Sequence, residues 1–231
     1  MSSHDLEWLD AMHLASASLP IGGFAYSQGL EQARQTGAVR DVETALCWIE
    51  GYLSLILARQ EMPWWFAIYG ASRDGDWVAV RSATLTLQAM RETAEARLES
   101  RQMGHALTRL YDQWLGSGSA RSSIPLAVFE DLKGDYCAAH AVLCAAKPIA
   151  AIPAMTAWLW AWLDSQVLAA VKLVPLGQRD GQAILHRLKG KIPDVVDLAI
   201  RTPLADAGSA PFGLMMASAR HETQYARLFR S

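Results

Sequence analysis

The sequence has no cationic excess: 21 lysines and arginines stand against 23 aspartates and glutamates, a net charge of −2. Binding to nucleic acid or to an anionic membrane, which needs clustered positive charge, is therefore not expected. Cysteine is scarce. Cys47, Cys137 and Cys144 make no even set, so no disulfide framework is expected and a reducing, cytoplasmic compartment fits. The opening MSSHDLEWLDAMHLA has neither the basic region nor the long apolar run of a signal peptide. The most apolar window, Ile149 to Leu163, contains Pro153 and stops at Asp164. It falls short of the roughly 18 residues of a membrane span and reads as a buried helix. Long alternation of polar and apolar residues is missing too, so no half-buried strand is predicted.

Helical periodicity fills the space these absences leave. After Asp41, a predicted N-cap, Val42, Ala45, Leu46, Ile49, Leu53, Ile56 and Leu57 recur at three- and four-residue steps. A short apolar stretch, Trp64 to Ala71, ends at the turn residues Asp74-Gly75. One long segment is predicted from about Trp77 to Leu115. In it Glu92, Glu95 and Glu99 alternate with Arg91, Arg97 and Arg101 as a solvated face, ahead of an apolar stripe from Met103 to Trp114. GSGSARSS, residues 116–123, reads as a flexible loop. Further helices are predicted over Pro125–Leu132, Tyr136–Ala146, Pro153 to Pro175, Asp180–Lys189 and Val195–Ile200. A Pro/Gly linker follows near 201–213, and a last segment spans 214–231. The class is all-α, one globular domain of roughly eight to ten helices over residues 1–231.

Chemistry-bearing patterns are few. Tyr26-Ser27-Gln28-Gly29 half resembles a nucleophile elbow, but Ala25 replaces the first glycine and no strand precedes it. A helical hydrolase using Ser27 is the weakest reading. Gly22-Gly23 is not followed by the G-K-[ST] of a phosphate loop, and no such loop occurs elsewhere. Pro20 and the two glycines are expected instead to make a tight turn, with strain at Gly23 and a helix from about Phe24. Cys137, His140 and Cys144 stand at i, i+3 and i+7 on one helix face, and could ligate zinc or nickel although a fourth ligand is not evident. Asp74 with Asp76, and Glu130 with Asp131, read as solvated acids. No convincing catalytic set and no cofactor site emerge.

Three stretches remain. LASASLPIGGFAYSQGLEQA opens the chain, VKLVPLGQ turns a helix–helix corner at Pro175, and ASARHETQYARLFRS runs to the last residue. In the third, Tyr225, Leu228 and Phe229 form an apolar stripe beside Arg220, Arg227 and Arg230, the residue types of an interface anchor. Behind its linker this tail is expected to be mobile and to contribute little to thermal stability.

Together the three stretches, with the charged RETAEARLESRQMG segment, resemble the urease accessory protein UreF family over nearly the whole chain. Ala25 and Ala226 depart mildly from the family pattern, which commonly has serine there. The resemblance implies an all-α, non-enzymatic, cytoplasmic homodimer. It implies binding to a second accessory protein, UreD (also called UreH), and to the GTPase UreG, with docking of the complex on apo-urease and nickel insertion coupled to GTP hydrolysis. The signature positions Ser16, Pro20, Gly22, Gly23, Tyr26, Ser27, Gly29 and Glu31, then Lys172 and Gln178, then Arg220, His221, Glu222, Tyr225, Arg227, Leu228, Phe229, Arg230 and Ser231, are expected to bind partners or shape the turns that do. A metal-binding helical protein using Cys137, His140 and Cys144 is the alternative.

Overall fold

Residues 3–115 and 124–231 are described by the structure, a computed structural model; the predicted loop at 116–123 lies outside them. The helices are α1 (Ser3–Ala15), α2 (Leu30–Gln35), α3 (Val42–Tyr52), α4 (Met62–Asp74), α5 (Trp77–Ala89) and α6 (Ala94–Leu115). They continue with α7 (Leu126–Leu132), α8 (Tyr136–Ala146), α9 (Ala151–Leu173), α10 (Gln178–Leu188), α11 (Ile192–Arg201) and α12 (Phe212–His221). Apart from the short α2 and α7, these are ten helices of ten residues or more, and no strand occurs among the described residues. The chain is all-α.

The core is built around α8. Its sequence, YCAAHAVLCAA, is small on every face, and every residue from Cys137 to Ala145 is buried. Small side chains let α4 and α6 pack on it closely. A Cβ added at Gly104 of α6 would lie 2.8 Å from the Asp135 carbonyl carbon. Asp135 caps α8 by accepting from the Ala138 amide at 2.9 Å. Around this centre α5 packs on α4, and α1 and α10 pack on α9. One continuous apolar cluster joins them.

Two predicted elements are drawn differently. The helix after Asp41 does not stop near Leu57: α3 runs through a wide π-helical segment, Leu53–Glu61, into α4. The extra residue per turn rotates Gln60 and Glu61 inward, and both are buried. The segment predicted as one helix from Trp77 to Leu115 breaks at residues 90–93. There Thr93 starts α6 by accepting from the Ala96 amide at 3.1 Å. Arg91 turns inward to Glu61 at 2.7 Å and Asp135 at 2.9 Å. Burial alone would lower the Arg91 pKa; the two carboxylates outweigh it and hold the guanidinium charged.

Candidate functional site

The opening segment does not enter a helix at Phe24. Gly22 has φ +80°, and Gln28 and Gly29 have φ +53° and +83°. Only one short 3₁₀ turn, Gly23–Ala25, fits between them, so α2 begins at Leu30. The expected strain at Gly23 belongs to its neighbours. A Cβ at Gly23 would meet only the flexible end of Met103 at 3.1 Å, whereas one at the left-handed Gly29 would lie 3.1 Å from the Ser218 amide nitrogen of α12. Gly29→Val should therefore cost about 2–4 kcal/mol, from backbone strain plus the clash, and Gly23→Ala much less. Denaturant midpoints of the two variants check the order.

The C-terminal segment, expected to stand free behind its linker, is docked on the fold. The linker before it is fastened where Trp64 Nε1 donates to the Ala207 carbonyl at 3.3 Å. Beyond α12 the chain leaves helical geometry and lies against the opening segment. The Glu31 carboxylate, from α2, organises the contact. One oxygen accepts from the Leu228 amide at 2.7 Å and from Gln224 Nε2 at 3.3 Å. The other accepts from the Phe229 amide at 2.8 Å and from His221 Nε2 at 3.3 Å. His221 is fully buried, and its Nδ1 lies 2.8 Å from a Glu95 oxygen. The second Glu95 oxygen pairs with Arg227 at 2.8 Å. The Arg230 amide donates to the Ala25 carbonyl at 2.8 Å, and the Ser27 amide to the Ser231 carbonyl at 2.7 Å. Glu222 caps α6 by accepting from the Ala94 amide at 2.7 Å.

The central corner reaches the same place through one residue. Lys172, near the end of α9, sits 5.9 Å from the Phe229 ring centre. Beneath lies a cavity of about 140 Å³ whose wall includes Ser16, Gly23, Tyr26, Lys172 and Phe229. Gln178 stands exposed at the first position of α10, and no hydrogen bond joins it to the tail. Pro20 is exposed, as are Arg220, Tyr225, Arg227, Leu228 and Arg230, whereas Tyr26, Ser27, Glu31, His221, Phe229 and Ser231 are buried. The face thus joins buried fastenings to exposed anchors: Phe24, Tyr225 and Leu228 are 66%, 105% and 66% exposed.

The other candidate chemistries do not assemble. Ser27 is fully buried and its Oγ donates to the Ser231 carbonyl, not to a base. Without a general base or access it has no means to act as a nucleophile. Cys137, His140 and Cys144 share a helix, but the Cys137 thiol points to the Glu61 carbonyl at 3.7 Å. His140 Nδ1 accepts from Trp65 Nε1 at 3.1 Å. Burial pushes the His140 pKa down to about 3 and raises both thiols, so the thiolates a metal needs are disfavoured. No group of three or more His, Cys, Asp or Glu among the described residues could hold a metal ion. The trio is core packing.

Sequence reasoning missed Glu95 and Glu99, assigned to a solvated face. Both belong to the docked tail's seat: Glu95 holds His221 and Arg227, and Glu99 accepts from Ser231 Oγ at 3.0 Å. The signal was available. Counting back in fours from the buried Tyr111, Leu107 and Met103 lands on Glu99 and Glu95.

Comparison with known proteins identifies the family. The UreF family model matches residues 39–189. The urease accessory protein UreF of Bordetella bronchiseptica is 43% identical over 227 residues, covering 95% of this chain and 100% of that protein. UreF of Cupriavidus taiwanensis is 43% identical over 230 residues, covering 96% of this chain and 97% of its own. A bifunctional urease accessory protein UreEF of Bordetella bronchiseptica is 42% identical over 225 residues, which are 95% of this chain and 51% of that longer one. These relatives match 95–96% of this chain, well beyond the stretch covered by the family model. The chain belongs to the UreF family of urease accessory proteins.

Proposed function

We propose that the protein is a non-catalytic scaffold of urease maturation. In this reading it acts in the cytoplasm as a homodimer, binds UreD/UreH and the GTPase UreG, and docks with them on apo-urease. There GTP hydrolysis by UreG drives nickel into the enzyme, and nickel is cargo rather than a resident cofactor. One observation carries the reading. Segments about 200 residues apart in sequence, at Ser27–Glu31 and Leu228–Ser231, are hydrogen-bonded into one surface from which large apolar side chains project unpaired. Buried fastenings with exposed aromatic and arginine anchors are how a protein pre-organises a docking face, because ordering is paid before the partner arrives.

Two further points support it. The sequence has no phosphate-binding loop, so GTP turnover must come from another chain. A relative carries UreE and UreF in one polypeptide, and fusion favours proteins that work in one assembly by raising their effective concentration. No helix among the described residues is long and apolar enough to cross a membrane.

Co-expression of the tagged protein with UreD/UreH and UreG tests the proposal. The expected result is a stable ternary complex by size exclusion, with no GTP hydrolysis by the protein alone. GTP hydrolysis that survives stringent purification, or failure to capture either partner, would overturn it.

A further inference from the structure

Folding unmixes the charges of α6. In the sequence its glutamates and arginines alternate, but Glu95 and Glu99 turn toward the tail, whereas Arg97, Arg101 and Arg109 stay outside. The exposed residues from 97 to 109 are Arg97, Leu98, Arg101, Gln102, His105 and Arg109, with no acid among them. The three arginines and His105 fall at four-residue steps, which makes one ridge about 18 Å long. Arg97 Nη1 donates to the Arg91 and Glu92 carbonyls at 2.7 and 2.9 Å. The side chains of Arg101, His105 and Arg109 make no ion pair or hydrogen bond among the described residues. On other faces Arg81 meets Asp131 at 2.6 Å, Arg187 meets Glu43 at 2.9 Å and Lys191 meets Glu50 at 2.7 Å.

The ridge runs into the docked tail. Arg230 Nη1 donates to Gln102 Oε1 at 3.2 Å, in the middle of the ridge. Arg230 is itself exposed, as are Tyr225, Leu228 and, on α12, Arg220. The acids alongside stand at the two ends. Glu92 and Glu222, whose carboxylate caps α6 at Ala94, precede the ridge, and Asp112 follows it.

We propose that this ridge is the electrostatic half of the docking face and receives an acidic surface of UreD/UreH, beside the anchors Tyr225 and Leu228. The identity of the partner rests on the scaffold reading above. Leu98 within the ridge and the two anchors next to it favour a protein over a nucleic acid. Phosphates would use the arginines but leave the apolar side chains in water. The chain's net charge of −2 also repels a long polyanion at a distance.

Exposed arginines at the rim of an interface act on encounter more than on lifetime. Their field reaches about 10 Å at 0.1 M salt and about 3 Å at 1 M. The signature of the ridge is therefore an association rate that falls as salt rises, with the dissociation rate little changed.

The experiment measures the association rate of the full chain with UreD/UreH at about 0.05 M and about 1 M salt. Arg101→Gln/Arg109→Gln removes no contact within the chain, so it should melt with the wild type. Its association rate should be about tenfold lower at the low salt and within about twofold of wild type at the high. Arg101→Lys/Arg109→Lys keeps the charge and should restore most of the rate. Arg187→Gln/Lys189→Gln removes the same charge from the end of α10, which packs on α9 and α3, and should leave the rate within about twofold. An unchanged rate and salt slope in Arg101→Gln/Arg109→Gln overturns the ridge and leaves the scaffold standing. An equal loss in the α10 variant overturns it too, since the effect would then be one of net charge. A wild type that binds no UreD/UreH removes the scaffold reading and this assignment with it. Duplex DNA held by the wild type at about 0.15 M salt and released by the ridge substitutions, with UreD/UreH binding unchanged, would assign the ridge to nucleic acid and overturn the proposal.

Discussion

Glu31→Ala is expected to lower stability by about 3 kcal/mol, which for a chain of this size is a fall of about 6–12 °C in melting temperature. The carboxylate accepts from two main-chain amides of the tail and from the fully buried His221. Alanine supplies no acceptor. Either the Leu228 and Phe229 amides stay buried without partners, or the tail peels off and the packing of Phe229 and Ser231 is lost. Glu31→Gln retains an acceptor oxygen and should fall between the two. Deleting Tyr225–Ser231 should cost a similar amount, the reverse of what a mobile tail implies. Calorimetry on the three variants checks this, and an unchanged melting temperature in Glu31→Ala would show that the tail does not bear on the core.

The reason for that reversal lies in what a single sequence carries. Helix periods, the Asp41 cap and the corner at Pro175 are local patterns, and they were legible. The capping box at Asp41 is closed by the Thr44 amide at 2.9 Å. The Tyr225, Leu228 and Phe229 stripe was legible as anchor chemistry, but not its division of labour: Phe229 turns inward while Tyr225 and Leu228 face out. That split depends on Glu31, 197 positions before Leu228, and nothing in the tail names its acceptor. Proline and glycine in the linker suggested isolation. They were silent on Ala207, whose carbonyl ties the linker to Trp64.

Charge was misread for a different reason. Alternating Glu and Arg along α6 has the pattern of a solvated helix, yet Glu95 and Glu99 share a face with Met103 and Leu107. A carboxylate on an apolar stripe is unfavourable unless other elements bring it donors. Here α12 and the tail bring them, from more than a hundred residues away. Gly23 shows the limit at a smaller scale. A glycine pair announces a turn, but which glycine takes positive φ depends on the backbone it must join.

The second large effect is on assembly rather than on folding, and it bears on the scaffold reading most directly. Tyr225 is 105% and Leu228 66% exposed. Removing their side chains takes nothing from the core, and surface changes of this kind usually stay within about 0.5 kcal/mol. If the docked tail presents them to UreD/UreH, each is a candidate anchor contributing about 2 kcal/mol or more. The measurement is the affinity of the Tyr225→Ala/Leu228→Ala double variant for UreD/UreH, taken with its melting temperature on the same sample. The expected result is a wild-type melting temperature and binding weakened at least about 30-fold. Wild-type affinity in a normally folded double variant would contradict the assignment of this face to the partner.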